Sequence, residues 1–305
     1  MILGQLSAGD LARRLAGPGL AIRTGPFSIR MRSGIDSLQT AVALLYDRHS
    51  VVDEDAFCDF TLEIVPARGL RRWVRPQVRL FLEGQAPFEP LPREHAFPLL
   101  EWSMNWCISA QAHQYLLLHA AVVARAGVAM VLPAPPGSGK STLCAGLIHR
   151  GWRLLSDEMA LISLAGGELS ALARPVSLKN ESVRVIREFA PEAVFSAEAR
   201  DTSKGTVAHL KPKADDVACM DEPARPRWIV FPRYLRDAPA TLAPRPKADA
   251  MLELGRNAFN YALLGQTGFE VLGGVISASD CYDFTYSRLD EAIEIFDALF
   301  RQHRG

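Results

Sequence analysis

Residues 131–143 read VLPAPPGSGKSTL, an apolar run that breaks into prolines at 135 and 136, glycines at 137 and 139, and then Lys140, Ser141 and Thr142. What lies on either side narrows the choices. Residues 128–132 are continuously apolar, as a buried strand is, and residues 141–150 place apolar side chains at 143, 144, 147 and 148, one face of a helix that Gly151 ends. A strand that passes through a short glycine turn directly into a helix commits the chain to an α/β fold. The spacing is specific as well. A small residue at Ala134, four residues, and then Gly139-Lys140-Ser141 match the phosphate-cradling P-loop (Walker A) pattern in all but its first glycine.

Glycines at 137 and 139 let the backbone turn so that successive N–H groups point at phosphate oxygens. The helix beginning near Lys140 brings the positive end of its dipole to the same place. Gly137, Ser138, Gly139, Lys140, Ser141 and Thr142 are thus the expected nucleotide contacts. Lys140 is expected to reach the β- and γ-phosphates and the Ser141 hydroxyl to hold Mg²⁺. ATP and Mg²⁺ are the expected cofactors.

Two adjacent carboxylates follow. A helix of about ten residues runs roughly 15 Å away from the loop, and the strand 152–156 returns about 16 Å. Asp157 is therefore expected beside the loop, at the carboxyl end of a strand parallel to the one before it. It is the first choice for general base or, with Ser141, for Mg²⁺ ligand; Glu158 reaches one methylene further and assists through the metal's water shell. The plain alternative is an exposed acidic turn. Upstream, Arg125-Ala126-Gly127 reads as a tight turn between apolar strands. Counting back pairs residue 124 with 128 and puts His119 opposite Pro133, where the loop begins. A histidine in an apolar strand is either packed and hydrogen-bonded or, this close to a phosphate site, catalytic, and both readings stay open.

Elsewhere the pattern gives organisation. Residues 20–34 alternate around Gly25-Pro26 as a hairpin, 35–47 form a helix, and 58–66 and 74–82 form two more strands. Prolines at 87, 90, 92 and 98 mark a linker, and Leu99, Trp102 and Trp106 make a core-facing stripe on the helix that follows. The chain divides into a small α+β unit, residues 1–96, and a nucleotide-binding unit, residues 97–305. The stretches 174–182 and 201–210 read as solvated loops, from which Lys179 or Lys204 could reach a γ-phosphate; His209 lies in the second. Asn257 and Asn260 share one helix face, as a cap, as packed amides or as substrate contacts.

Composition works by exclusion. Lys+Arg and Asp+Glu number 34 each, so no nucleic-acid or anionic-membrane partner is expected. Five cysteines, at 58, 107, 144, 219 and 281, form no CxxC pair, which argues against a zinc site and a disulfide framework and fits a reducing cytoplasm. The charged N-terminus lacks a signal-peptide core, and the apolar stretch 116–124 is half a membrane span. A soluble, cytoplasmic protein is expected.

With His119, PGSGKST and RGWRLLSDE in this order, the chain resembles the HPr kinase/phosphorylase family. It is more similar still to the HPr-kinase-related kinases A, through EWSMNWCI, LHAAVVARAG, PVSLKN, DTSKGTVAHL, ARPRWIVFPRY, NAFNY and DCYDF. The resemblance implies a P-loop kinase core of the HPr kinase/phosphoenolpyruvate carboxykinase type, here behind the small α+β domain. It places His119 on the family's active-site histidine and Asp157 on its first aspartate, and it implies a homo-oligomer. The sequence departs from the family at Ala134, Glu158 and Thr142 and has no counterpart of its LEIRGLGI segment. The function expected is therefore Mg-ATP-dependent transfer of the γ-phosphoryl group to a hydroxyl, foremost a protein or peptide serine, without phosphorylase activity. The alternatives are a small-molecule hydroxyl as acceptor, or a non-catalytic ATP-binding regulatory module.

Overall fold

The computed structural model describes residues 1–304. The expected hairpin forms as β1 (Leu20–Thr24) and β2 (Phe27–Arg32), with Thr24 opposite Phe27 and Gly25 turning the corner at φ 57°. With β3 (Phe60–Pro66), β4 (Gln77–Leu82) and β5 (Leu91–Pro92) these strands make a five-stranded sheet in chain order. Helices α1 (Ala8–Ala16), α2 (Asp36–Leu45) and α3 (Ala96–Gln111) pack against it through Leu11, Leu15, Leu38, Val42, Leu100, Met104 and Ile108. Within the proline-rich stretch expected as a linker, Leu91 and Pro92 pair with β4, Leu91 opposite Val78. The same core takes in Leu117, Met159, Leu161 and Leu172, so the expected units 1–96 and 97–305 share packing across residue 97.

Past α3 come β6 (Tyr115–Leu118), β7 (Ala120–Arg125), β8 (Val128–Pro133), α4 (Lys140–Ile148), β9 (Arg153–Ser156), β10 (Ala160–Ser163) and β11 (Leu169–Ser170). They are followed by β12 (Val176–Lys179), α5 (Glu181–Phe189), β13 (Ala199–Thr202), β14 (Gly205–Leu210) and α6 (Ala214–Ala218). The chain ends in β15 (Arg225–Tyr234), β16 (Thr241–Pro244), α7 (Lys247–Arg256), α8 (Tyr261–Ala278), β17 (Asp280–Tyr286) and α9 (Leu289–Arg304). The central sheet has the order β16-β17-β15-β8-β7-β9, with small sheets β11-β10-β6 and β12-β14-β13 beside it. Strand alternation divides the central sheet's side chains between two cores. Ala121, Val123, Met130 and Leu132 meet α4 and α9, whereas Ala120, Val122, Ala124 and Val131 meet α7 and α8. Burial on both faces is why these strands read as unbroken apolar runs.

Two expectations about register change. Arg125 pairs with Val128 and Ala120 with Pro133, one residue off the expected pairing. The turn is only Ala126 and Gly127, at φ 48° and 79°, and positive φ at both positions is what a two-residue type I′ hairpin needs. Strand β9 runs in the direction of β8, as expected, yet β7 lies between them, antiparallel to both. The mixed α/β architecture stands, and among the described residues no helix is long and apolar enough to cross a membrane. All five cysteines are free.

Candidate active site

The loop after β8 is built as its glycines predict. Gly137 and Gly139 lie at φ 87° and 88°, and Gly139 is the residue immediately before α4, whose first N–H groups have no partners within the helix. Ala134 is buried and sits outside the left-handed region, so the missing glycine removes nothing the backbone needs. Two strand ends brace the loop. The Tyr234 N–H donates to the Ser138 carbonyl at 2.8 Å, and the Tyr286 hydroxyl donates to the Gly139 carbonyl at 2.9 Å. A Cβ at position 139 would stand 2.5 Å from that hydroxyl. Tyr286 ends β17.

Lys140 is 6% exposed; its ammonium donates to the Asp157 carbonyl at 3.0 Å and lies 3.4 Å from His119 Nε2. His119 Nε2 is in turn 3.3 Å from Glu158 Oε2, and the Lys179 ammonium is 3.7 Å from Glu158 Oε1. The structure therefore brings His119, Lys140, Asp157 and Glu158 together, with Lys179 added. Asp157 is buried. The Ser177 N–H donates to its Oδ2 at 3.1 Å, while its Oδ1 has no partner. Burial, then the Glu158 charge, pushes the Asp157 carboxyl above its ordinary value against the pull of Lys140 and the nearby Ser141 hydroxyl. For Glu158 burial also raises the carboxyl, but His119, Lys140 and Lys179 together outweigh it and hold the group well below the usual carboxylate range.

A cavity of about 1030 Å³ opens over the loop, lined by residues 135–142 and by His119, Glu158, Lys179, Lys204, Tyr234 and Tyr286. Both lysines thus face it, Lys179 from the end of β12 and Lys204 from the turn between β13 and β14, so the stretches expected as loops largely form strands. In β12, Val176 and Leu178 are buried in the core while Ser177 and Lys179 alternate to the site side, and Ala208 and Leu210 of β14 join the same core. The lysine at the end of β12 hides that period-two pattern. The Thr142 hydroxyl donates to Ser182 at 2.7 Å. Ser141 and Asp157 could hold a divalent cation: the unpartnered buried Oδ1 beside a hydroxyl is an incomplete donor set. Among the described residues no group of three or more His, Cys, Asp or Glu side chains is placed to bind a metal alone.

Asn260 is structural. Its amide oxygen accepts from the Leu117 N–H at 3.0 Å and its NH₂ donates to the Tyr115 carbonyl at 2.8 Å, which ties the segment before α8 to β6. Asn257 contributes through its backbone, its carbonyl accepting the His119 N–H at 2.9 Å. Of the expected core-facing stripe, Leu99 is buried in the core but the two tryptophans are not. Helix α3 turns Leu100, Met104, Cys107 and Ile108 inward, leaving Trp106 exposed and Trp102 half-buried. The inward face also holds Glu101, which accepts from the Tyr46 hydroxyl and pairs with buried Arg174 at 3.6 Å; Arg174 also donates to Asn105. Sequence gave no sign of this network, because its members lie far apart in the chain. It anchors α3 to the segment leading into Ser177 and hence to Asp157.

His209 is buried away from the large cavity, edge-on to Phe97, and neither ring nitrogen has a partner. Burial pushes its imidazole down to about 3, and that of His49 down to about 4. Both groups bind protons more tightly when unfolded, so their contribution to stability is complete above the unfolded value near 6.5 and is lost as the pH falls toward the folded values. At pH 5 the loss is about 2 kcal/mol for each. Thermal melts should show a clear drop in Tm between pH 7 and pH 5, and a smaller drop in His209→Leu. Equal pH sensitivity in the two proteins would show that His209 is not held neutral.

No family model matches the chain, and no curated protein matches it. Among solved structures, the HPr(Ser) kinase/phosphatase from Coxiella burnetii aligns over 62% of this chain and 95% of its own, at 12% identity and a TM-score of 0.26.

Proposed function

We propose that the chain is an ATP-dependent phosphotransferase that moves the γ-phosphoryl group to a hydroxyl on a protein or peptide serine. The observation that carries this reading is the convergence of Lys140, His119 and the adjacent carboxylates at the mouth of a glycine loop opening on a nucleotide-sized cavity. In this reading the loop N–H groups and the start of α4 bind the phosphates, and Lys140 turns from the Asp157 carbonyl, and Lys179 from the Glu158 carboxylate, to the phosphate oxygens. Ser141 and Asp157 hold Mg²⁺, which when bound neutralises charge on the β- and γ-phosphates. Glu158 orients the acceptor hydroxyl. The hydroxyl oxygen bonds to the γ-phosphorus as the bond from that phosphorus to the β–γ bridging oxygen breaks. ADP leaves with the electron pair, and the hydroxyl proton passes to the Glu158 carboxylate. Once the phosphates occupy Lys140 and Lys179, the positive charge that suppresses Glu158 basicity is shared, and the carboxylate becomes a better base.

Phosphorolysis is left out of the proposal, because Thr142 is committed to Ser182 and supplies no acid after Lys140-Ser141. The test uses purified protein with γ-labelled ATP and, separately, a serine peptide pool, HPr, or phospho-HPr with phosphate. Mg-dependent label transfer to peptides, with neither HPr reaction efficient, is the expected result. ATP binding without transfer to any hydroxyl would point to a regulatory module. Efficient turnover of HPr in either direction would overturn the separation from that chemistry.

A further inference from the structure

A second cavity, about 260 Å³, lies against α3 and shares His119, Glu158 and Lys204 with the large one. Three aromatic side chains, Trp102 and Trp106 from α3 and Phe259 from the segment before α8, make up half of the remaining wall, with Met159, Asn105 and Ser109 completing it. The three shared residues therefore stand between a phosphate-binding chamber and one walled in large part by aromatic side chains. Phosphoryl transfer needs the attacking oxygen on the side of the phosphorus away from the leaving oxygen. A chamber reaching Glu158 from the side that the glycine loop does not line meets that need.

We propose that this second chamber is the acceptor subsite, and that it selects a polypeptide serine flanked by an aromatic or large aliphatic residue. The inference rests on the phosphotransferase reading above. Trp106 and Phe259 are 42% and 48% exposed, a large apolar surface to leave in water without an occupant. The surface continues outward, since Phe88 is itself exposed and packs edge-on to Trp106 with ring centroids 5.7 Å apart. Such a surface reaches beyond what a small metabolite covers and suits a chain lying across it. The walls are fixed in place. The Asn260 amide, the Phe259 N–H to the Leu117 carbonyl and the His119 N–H to the Asn257 carbonyl hold one side, and the buried Arg174–Glu101 contact holds α3. The one cation in the wall, Lys204, sits 5.3 Å from the Trp102 ring at the boundary with the phosphate chamber, where it meets the transferred group rather than the flanking side chain.

The experiment measures kcat/KM for transfer from labelled ATP to serine peptides that differ only in the flanking residue, Phe or Leu against Asp or Lys. Wild-type protein, Trp106→Ala and Phe259→Ala are compared, each checked by thermal melt. Since both side chains are about half exposed, their truncation is not expected to unfold the protein. Wild type should favour the apolar peptides by at least about tenfold, with the difference mainly in KM, and either truncation should reduce the ratio to about twofold. Transfer that depends on Lys140 but ignores the flanking residue, or a preference that survives both truncations, overturns the subsite and leaves the phosphotransferase reading standing. Absence of Lys140-dependent transfer to every peptide overturns both.

Discussion

Lys140→Ala is expected to lower phosphoryl transfer by about 10²–10³-fold, roughly 3–4 kcal/mol of lost transition-state stabilisation. The size follows from burial. The ammonium is 6% exposed and shares its surroundings with two carboxylates and a histidine, so little water screens it. Neither neighbouring lysine has its position at the start of α4: Lys179 reaches Glu158 from β12, and Lys204 sits where the two cavities meet. The same substitution should raise the pH at which Glu158 protonates, because one of the charges that depresses it is gone. Thr142→Ala, which removes only the hydrogen bond to Ser182, should stay within about tenfold of wild type, since Ser141 keeps the metal position. Steady-state kinetics with labelled ATP and direct nucleotide binding check both. Unchanged ATP binding and turnover in Lys140→Ala would falsify the assignment of the glycine loop.

The second large effect separates the two carboxylates. Glu158→Gln should cut transfer by about 10²–10⁴-fold while ATP affinity stays within about tenfold, because the amide keeps the shape and loses the proton acceptor. Asp157→Asn should act differently, raising the Mg²⁺ concentration needed for half-maximal ATP binding. The distinction comes from where the side chains go. Glu158 lines both cavities and pairs with His119, whereas Asp157 is turned inward, one oxygen on the Ser177 N–H and the other without a partner. Magnesium titrations of nucleotide binding, run beside transfer assays, read the two roles independently. If Asp157→Asn abolishes transfer with its magnesium requirement unchanged, and Glu158→Gln remains active, the roles are exchanged.

The local pattern carried much of this site. Backbone angles at Gly137 and Gly139 are local requirements, and a helix and strand of similar length return the chain to its starting level. Asp157 could therefore be placed near Lys140 from the spacing alone, and the structure puts the Asp157 carbonyl 3.0 Å from the ammonium. The apolar runs 120–124 and 128–132 likewise announced buried strands, because both faces of the central sheet are covered by helices, whereas the strand breaks at His119 and residues 116–118 pair with β10 in a separate sheet.

What the tertiary structure decided is everything that depends on a partner distant in the chain. Whether Trp102 and Trp106 face a core or a cavity is settled by which side of α3 meets the first sheet, and helical spacing is the same for either side. Buried Glu101 looked out of place until Arg174 and Tyr46, 73 and 55 residues away, supplied its partners. Lys179 at the end of β12 and Lys204 in the turn before β14 suggested loops because charged side chains at strand ends obscure alternation, and only packing against the core fixed Val176, Leu178, Ala208 and Leu210 as inward positions. Sequence alone determined the turn chemistry, the strand and helix around the glycine loop, and the pairing of that loop with an acidic strand end, since each follows from backbone sterics and element length over a few residues. The meeting of two chambers at His119, Glu158 and Lys204 required the fold, because three separate chain segments converge there and no local interaction records that they do.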